Sequence, residues 1–174
     1  MTTTTVTAAD GTALHTYVWT PPGQPKAIVQ IAHGLAEHAQ RYGRFADALT
    51  ASGYAVYAND HRGHGHTNPV GEGHGYFADT DGFGKVVEDL RAVTEVARAA
   101  YPGVPVFLLG HSMGSFLARA YAAAYGADLA GLILSGTAGD AGALGKVGIV
   151  VAQAQARLKG RTHASGLLNA MSFG

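Results

Sequence analysis

There is no cysteine among the 174 residues. That excludes disulfides, thiolate nucleophiles and cysteine-ligated zinc, and leaves the compartment open on redox grounds. An excess of charge is lacking too: 12 lysines and arginines balance 12 acidic residues. Nothing in that balance marks a nucleic acid or an anionic membrane as partner, and a small neutral substrate fits better. No long hydrophobic run is present either. The apolar stretch at 147–154 is too short and too interrupted to span a bilayer. The first ten residues are a threonine-rich polar run without a basic segment or apolar h-region, so no secretory signal is read and a cytoplasmic protein without a transmembrane segment is expected. What is present is glycine, 25 residues of it, and an apolar fraction of 47%. The length suits a single domain with a real core.

Taken in order, residues 3–8 and 13–20 are β-rich runs around Ala9-Asp10-Gly11-Thr12, and Asp-Gly between such runs predicts a hairpin. After a proline-rich loop, 27–32 is continuously apolar, as in a strand buried on both faces. Tyr42, Phe45 and Leu49 predict one face of a helix over 42–51, stopped by Gly53. A second buried strand follows at 54–58, then a loop over 59–75 dense in glycine and histidine. Val86, Leu90, Val93 and Ala97 predict an amphipathic helix over 84–100, ended before Pro102. An apolar strand at 106–109, a helix over 113–125 and a last apolar run at 132–134 complete the series. A hairpin followed by repeated strand–helix units predicts an α/β sheet covered by helices on both faces. From 136 onward the composition shifts, and Leu144, Val147, Val151, Ala154 and Leu158 predict one or two helices and a loose tail rather than another strand–helix unit.

Between the strand at 106–109 and the helix at 113–125 lies Gly110-His111-Ser112-Met113-Gly114. Gly-X-Ser-X-Gly in a strand–turn–helix setting predicts a nucleophile elbow, with glycines where strand and helix backbones crowd each other and the serine pushed into solvent. A serine hydroxyl needs a base, a group that orients the base, and donors for the oxyanion. The Met113 N–H, at a helix N-terminus, supplies one such donor, and a second is expected from the loop after the first buried parallel strand.

That loop reads His33-Gly34-Leu35-Ala36-Glu37-His38 followed by Arg41-Tyr42. Together with Asn59-Asp60-His61-Arg62-Gly63-His64-Gly65 and the serine motif, in that order and spacing, it resembles the monoacylglycerol lipase and lysophospholipase branch of the α/β-hydrolases. The resemblance covers about 13–136, and the tail 168–174 looks like part of that family's cap. It implies a mostly parallel sheet with an N-terminal hairpin, residues 1–136 forming the N-terminal part of the core and 137–174 the start of a helical cap. It further implies a carboxylic ester substrate with an acyl chain, an acyl-enzyme on Ser112, oxyanion donors at Leu35 N–H and Met113 N–H, and no cofactor or metal. Ser115 stands where the family usually has another glycine, a change expected to be tolerated at the start of a helix.

The family's acid and histidine lie on loops after two further strands, so the resemblance implies a chain that ends inside the cap, lacks the last two core strands and is inactive alone. Asp140 and His163 satisfy the chain order serine, acid, histidine, but His163 sits in a polar turn with no strand to hold it, and a surface histidine is the better reading. His61, His64, His66 and His74 lack the spacing of a known zinc motif. His33 and His38 are expected to brace the oxyanion loop, and His111 to be buried and hydrogen-bonded away from the reacting carbon. Asp60, Arg62 and Asp89 are read as loop-fixing or surface charges. An exposed edge at 132–135 predicts self-association. The competing classes are a noncatalytic α/β remnant or binding module, and an acyltransferase using the same serine.

Overall fold

The computed structural model describes residues 1–67, 75–139, 142–163 and 165–166, with the backbone alone for 143–147. Strands β1 (Thr2–Thr7) and β2 (Ala13–Trp19) form the expected antiparallel hairpin, in register from Thr2 opposite Val18 to Thr7 opposite Ala13. Its turn closes through Gly11 N–H donating to Ala8 O and Ala8 N–H to Thr12 O, with Gly11 at φ 86, where a side chain is strained.

The strands β3 (Ile28–Ala32), β4 (Ala55–Asn59), β5 (Val106–His111) and β6 (Gly131–Ser135) are mutually parallel. The sheet order is β1-β2-β4-β3-β5-β6, with β2 antiparallel to β4. The sequence therefore predicted the architecture, and the crossover from β4 back past β3 to β5 puts β3 and β5 side by side at the centre. Every residue of β3 and β4 is buried, as the unbroken apolar runs require.

Successive residues on a strand face opposite sides of the sheet. Ile28 packs with Val93 and Ala97 of helix α2 (Gly82–Ala100), whereas Val29 and Ile31 pack with Ala46 of helix α1 (Gly43–Ala51). On the α2 side, Leu108 of β5 meets Val86, Leu90, Leu117 and Tyr121, the last two from helix α3 (Met113–Tyr125). All four residues predicted for the α2 face are fully buried. That helix begins two residues before the predicted position, after Asp81 at φ 47.

For α1 the expected face is turned. Tyr42 and Leu49 are half-buried, but Phe45 is exposed and Ala46 takes its place in the core. A 3₁₀ turn, Ala39–Tyr42, precedes the helix, and its tighter winding shifts the phase at which α1 starts. The apolar residues after 136 do form a helix, α4 (Gly142–Lys159), in which Val151 is half-buried and Ala154 and Leu158 are exposed; the side chains of Leu144 and Val147 lie outside the described ones.

Two polar networks are buried between these layers. Gln30 of β3 donates from Nε2 to Leu90 O and accepts at Oε1 from the Thr94 hydroxyl, which in turn accepts from Tyr121 OH. Sheet, α2 and α3 are thereby tied through satisfied groups, which makes burying a glutamine tolerable. Arg62, 7% exposed, lies between two carboxylates: its Nε and Nη2 bond Asp89 of α2 at 2.6 and 2.7 Å, and its Nη1 and Nη2 bond Asp10 at 2.5 and 2.9 Å. Arg62 holds the Asp10 carboxyl well below the usual range. Burial of Asp89 outweighs the same guanidinium and pushes its carboxyl up. Of the two roles the sequence left for Arg62 and Asp89, loop-fixing or surface charge, the structure shows the first: with Asp10 they fasten the hairpin turn, the loop after β4 and α2 to one another. Among the described residues, no helix is long and apolar enough to cross a membrane.

Candidate active site

The turn from β5 into α3 places Ser112 at φ 51 and ψ −119, a conformation a side chain rarely adopts and one held here by hydrogen bonds on both sides. Ser112 N–H donates to Ser135 O of β6 at 2.9 Å, and Ser112 O accepts from Ser115 N–H at 2.9 Å and from the Ser115 hydroxyl at 2.6 Å. Ser115 is therefore more than tolerated: its buried hydroxyl closes the first turn of α3. The Ser112 side chain does not cap the helix and has no hydrogen-bond partner among the described residues; it stands exposed.

The flanking glycines answer to contact distances. A Cβ at Gly114 would lie 2.0 Å from Ala32 O and 2.6 Å from His33 O, and one at Gly110 would lie 2.3 Å from Gly114 O. No backbone clash of that kind can be relieved by a rotamer change. These close approaches bring the end of β3, and the loop after it, against the serine turn.

In that loop a Cβ at Gly34 would be 3.2 Å from Ser112 Cβ, so Gly34, the residue before Leu35, lies against the Ser112 side chain. The Leu35 N–H has no partner among the described residues, and Met113 N–H is one of the orphan donors of the first turn of α3. The loop is closed by Glu37, whose Oε1 accepts Gly34 N–H at 2.5 Å and Tyr42 OH at 2.7 Å while Oε2 pairs with Arg41 at 3.0 Å. Burial works to raise the Glu37 carboxyl, but these three donors together hold it below its ordinary value. That explains the spacing of the Gly-x-x-Glu and Arg-Tyr pairs, which sequence alone recorded as a pattern without a role. Asp60, fully buried, accepts Ala39 N–H at Oδ1 and His66 N–H at Oδ2, both at 2.8 Å, and so anchors the far end of the loop.

Beneath the loop lie three imidazoles. The His33 and His61 rings are 4.0 Å apart, and the His64 ring is 5.3 Å from that of His33. His61 N–H donates to His33 Nε2 at 2.9 Å, and Ala36 N–H to His64 Nε2 at 3.3 Å. Burial pushes His33 down to about 4, and pushes His61 well below its ordinary value. His33 Nδ1 lies 2.7 Å from Gly34 O, the contact by which it braces the loop. The His38 side chain makes no hydrogen bond among the described residues; its carbonyl accepts from Arg41 N–H. His111 is half-buried rather than buried, with Nδ1 3.2 Å from the Ser135 hydroxyl. Among the described residues, no group of three histidine or acidic side chains is arranged to hold a metal.

The arrangement puts an exposed hydroxyl near two backbone donors that have no partner among the described residues, which is chemically suited to nucleophilic attack and to holding the negative charge that develops on the attacked carbonyl oxygen. The candidate base is elsewhere. His163 lines an open cavity of about 770 Å³ with Tyr76, Phe77, Gln153, Arg157 and Arg161, and Ser112 does not border that cavity. The His163 ring has no hydrogen bond among the described residues. Asp140 and His74 lie outside the described residues.

Known proteins resemble this chain in sequence and in fold. The family described as serine aminopeptidase, S33 (Hydrolase_4) matches residues 23–172. A monoacylglycerol lipase of Mycolicibacterium smegmatis is 42% identical over 124 residues, 71% of this chain and 42% of its own length. The monoglyceride lipase of Homo sapiens is 38% identical over 126 residues, 72% of this chain and 40% of its own. Among solved structures, a thermostable carboxyl esterase from Bacillus coagulans in complex with glycerol superposes with a TM-score of 0.74 at 31% identity, covering 90% of this chain and 50% of that one. This chain therefore spans about two fifths of the length of these curated relatives.

Proposed function

The chain belongs to the serine aminopeptidase S33 (Hydrolase_4) family, and from that membership we propose that it carries the nucleophile and the oxyanion donors of a serine hydrolase acting on carboxylic esters of the monoacylglycerol or lysophospholipid kind. The observation that carries this reading is the exposed Ser112 hydroxyl, without a hydrogen-bond partner among the described residues, in a positive-φ turn at the N-terminus of α3, with Gly34 of the loop after β3 against its side chain. The names of the relatives, lipases and an esterase, support the substrate class.

In this mechanism the Ser112 Oγ attacks the ester carbonyl carbon as its proton passes to a base, and the carbonyl oxygen becomes an oxyanion received by Leu35 N–H and Met113 N–H. The carbon–alkoxide bond then breaks, and the alcohol leaves with the proton from the base. Water, deprotonated by the same base, releases the acid and restores the serine. No cofactor enters these steps. Residues 137–174, including α4, are read as the start of a cap over this site. The described residues bring no base to Ser112, so the 174-residue chain by itself is expected to be inert toward esters; that observation favours, as second reading, a noncatalytic member of the same fold.

Labelling with a fluorophosphonate probe, with the adduct mapped by peptide mass spectrometry and Ser112→Ala as control, tests the proposal. Adduct at Ser112 supports the nucleophile and shows that a base is supplied to this chain, with His163→Ala the next variant. Absence of adduct at Ser112, in this chain and in any longer form containing it, overturns the catalytic reading in favour of the noncatalytic one.

A further inference from the structure

His64 lies in the glycine- and histidine-rich loop after β4, 28 residues from the amide it meets. Its ring is buried, edge-on to His33 at 5.3 Å and tilted against Phe77 at 5.9 Å. Two of its contacts fix the proton. The Ala36 N–H can only donate, so Nε2 must be the acceptor; the Arg62 carbonyl, 2.9 Å from Nδ1, can only accept, so Nδ1 must carry the hydrogen. The ring is thus a neutral imidazole in a single tautomer, with its lone pair aimed at the loop over Ser112.

The amide it receives belongs to an unusual residue. Ala36 sits at φ 57, in the left-handed region where a non-glycine residue costs on the order of 1 kcal/mol or more and persists only when its surroundings hold it. The loop is pinned before this point by Glu37 on Gly34 N–H, and after it by Asp60 on Ala39 N–H. Between these pins, the bond to His64 is the only one that the Leu35 and Ala36 amides make among the described residues. A rotation of the Leu35–Ala36 segment would change the direction of the neighbouring Leu35 N–H.

We propose that His64 is a positioning residue: by accepting the Ala36 N–H it holds the Leu35–Ala36 turn so that the Leu35 N–H stays directed at the oxyanion site. This rests on the reading of Leu35 as an oxyanion donor, but its structural half stands apart from any catalysis. His64 itself touches neither substrate nor the reacting atoms.

The test therefore begins with a readout that needs no activity. In the ¹⁵N-labelled 174-residue protein, long-range ¹⁵N–¹H correlations report the His64 tautomer, and amide hydrogen exchange reports the Ala36 N–H. The expected result is the Nδ1–H tautomer. In His64→Phe, which keeps an aromatic ring against His33 and Phe77, Ala36 exchange is expected to speed up about tenfold, the worth of one lost hydrogen bond, with β3 and α3 unchanged. His64→Gln offers a carbonyl oxygen to the same amide and is expected to restore protection. An Nε2–H tautomer in the unmodified protein, which needs no variant to fold, or unchanged Ala36 exchange in a folded His64→Phe, overturns the proposal. In whichever form of the protein takes up the fluorophosphonate, His64→Phe is expected to lower the limiting acylation rate about tenfold while leaving the probe's half-saturating concentration unchanged, and His64→Gln to recover most of it. A drop in apparent affinity alone overturns the catalytic half. If the unmodified protein is never labelled, the hydrolase reading fails while the tautomer and exchange results still decide the role of His64 in the loop.

Discussion

The Ser112 side chain is exposed, with no hydrogen-bond partner among the described residues, while its backbone is held. Its own backbone is tied to Ser135 and Ser115, and the glycines two positions to either side admit the Ala32 and Gly114 carbonyls. Gly114→Ala is therefore expected to cost about 3 kcal/mol or more, since the added carbon meets only backbone. Gly126→Ala, at φ −58 with nothing within 4 Å, is expected to be neutral or to stabilise by about 0.5–1 kcal/mol. Urea denaturation of the two variants checks the contrast; equal effects would show that the close approach at the serine turn is not what demands glycine there. The buried imidazoles set a pH dependence. His33 titrates at about 4 in the folded protein, below the ordinary 6.5, so between these values the unfolded chain binds more protons than the native one. The stability this gives is complete above pH 6.5 and is lost as pH falls toward 4, by about 3 kcal/mol for His33 alone. His61, pushed down in the same direction, steepens the loss. Unfolding free energies measured from pH 7 to pH 4 test this, with His33→Gln expected to flatten the profile.

At the scale of elements, the hairpin is fastened to the rest by Arg62. This guanidinium reaches Asp10 in the β1–β2 turn and Asp89 in α2, and Asp89 is fully buried. Removing one member of a buried pair leaves the other uncompensated, at a cost of about 3–5 kcal/mol. Arg62→Ala is expected to lose stability in that range, Asp10→Asn much less because that carboxylate is partly solvated. If Arg62→Ala and Asp10→Asn prove equal, the pair with Asp89 contributes nothing of its own. Sequence patterning located this helix well, because Val86, Leu90, Val93 and Ala97 repeat at its period and all face the sheet. It located α1 but not its face. The 3₁₀ turn at Ala39–Tyr42 advances the chain by a different angle per residue, and so Ala46 is buried where Phe45 was expected.

Across the whole molecule, burial is uneven. The central strands are closed, whereas β6 presents Leu132, Ile133 and Leu134 at 37%, 45% and 37% exposure on a sheet edge. An open apolar edge strand is a template for pairing. The isolated 174-residue chain is expected to self-associate, and Ile133→Lys to reduce that association, as read by sedimentation velocity. A monodisperse unmodified chain would show that this edge is harmless as it stands.

The order of strands and helices, the serine turn and the loop motifs were legible in the sequence, because hydrophobic period and glycine placement are local consequences of backbone geometry. Reading Asp60, Arg62 and Asp89 only as loop-fixing or surface charges was equally local: a charged side chain in a loop or on a helix reads the same whether it faces water or a buried partner. Only the folded sheet decides that Arg62 meets residues 52 and 27 positions away, that Asp60 caps the loop from β3, and that His64 reaches Ala36. These are contacts between segments that the crossover connections bring together, and their free energy comes from desolvation and donor geometry, which arise only after the chain has folded.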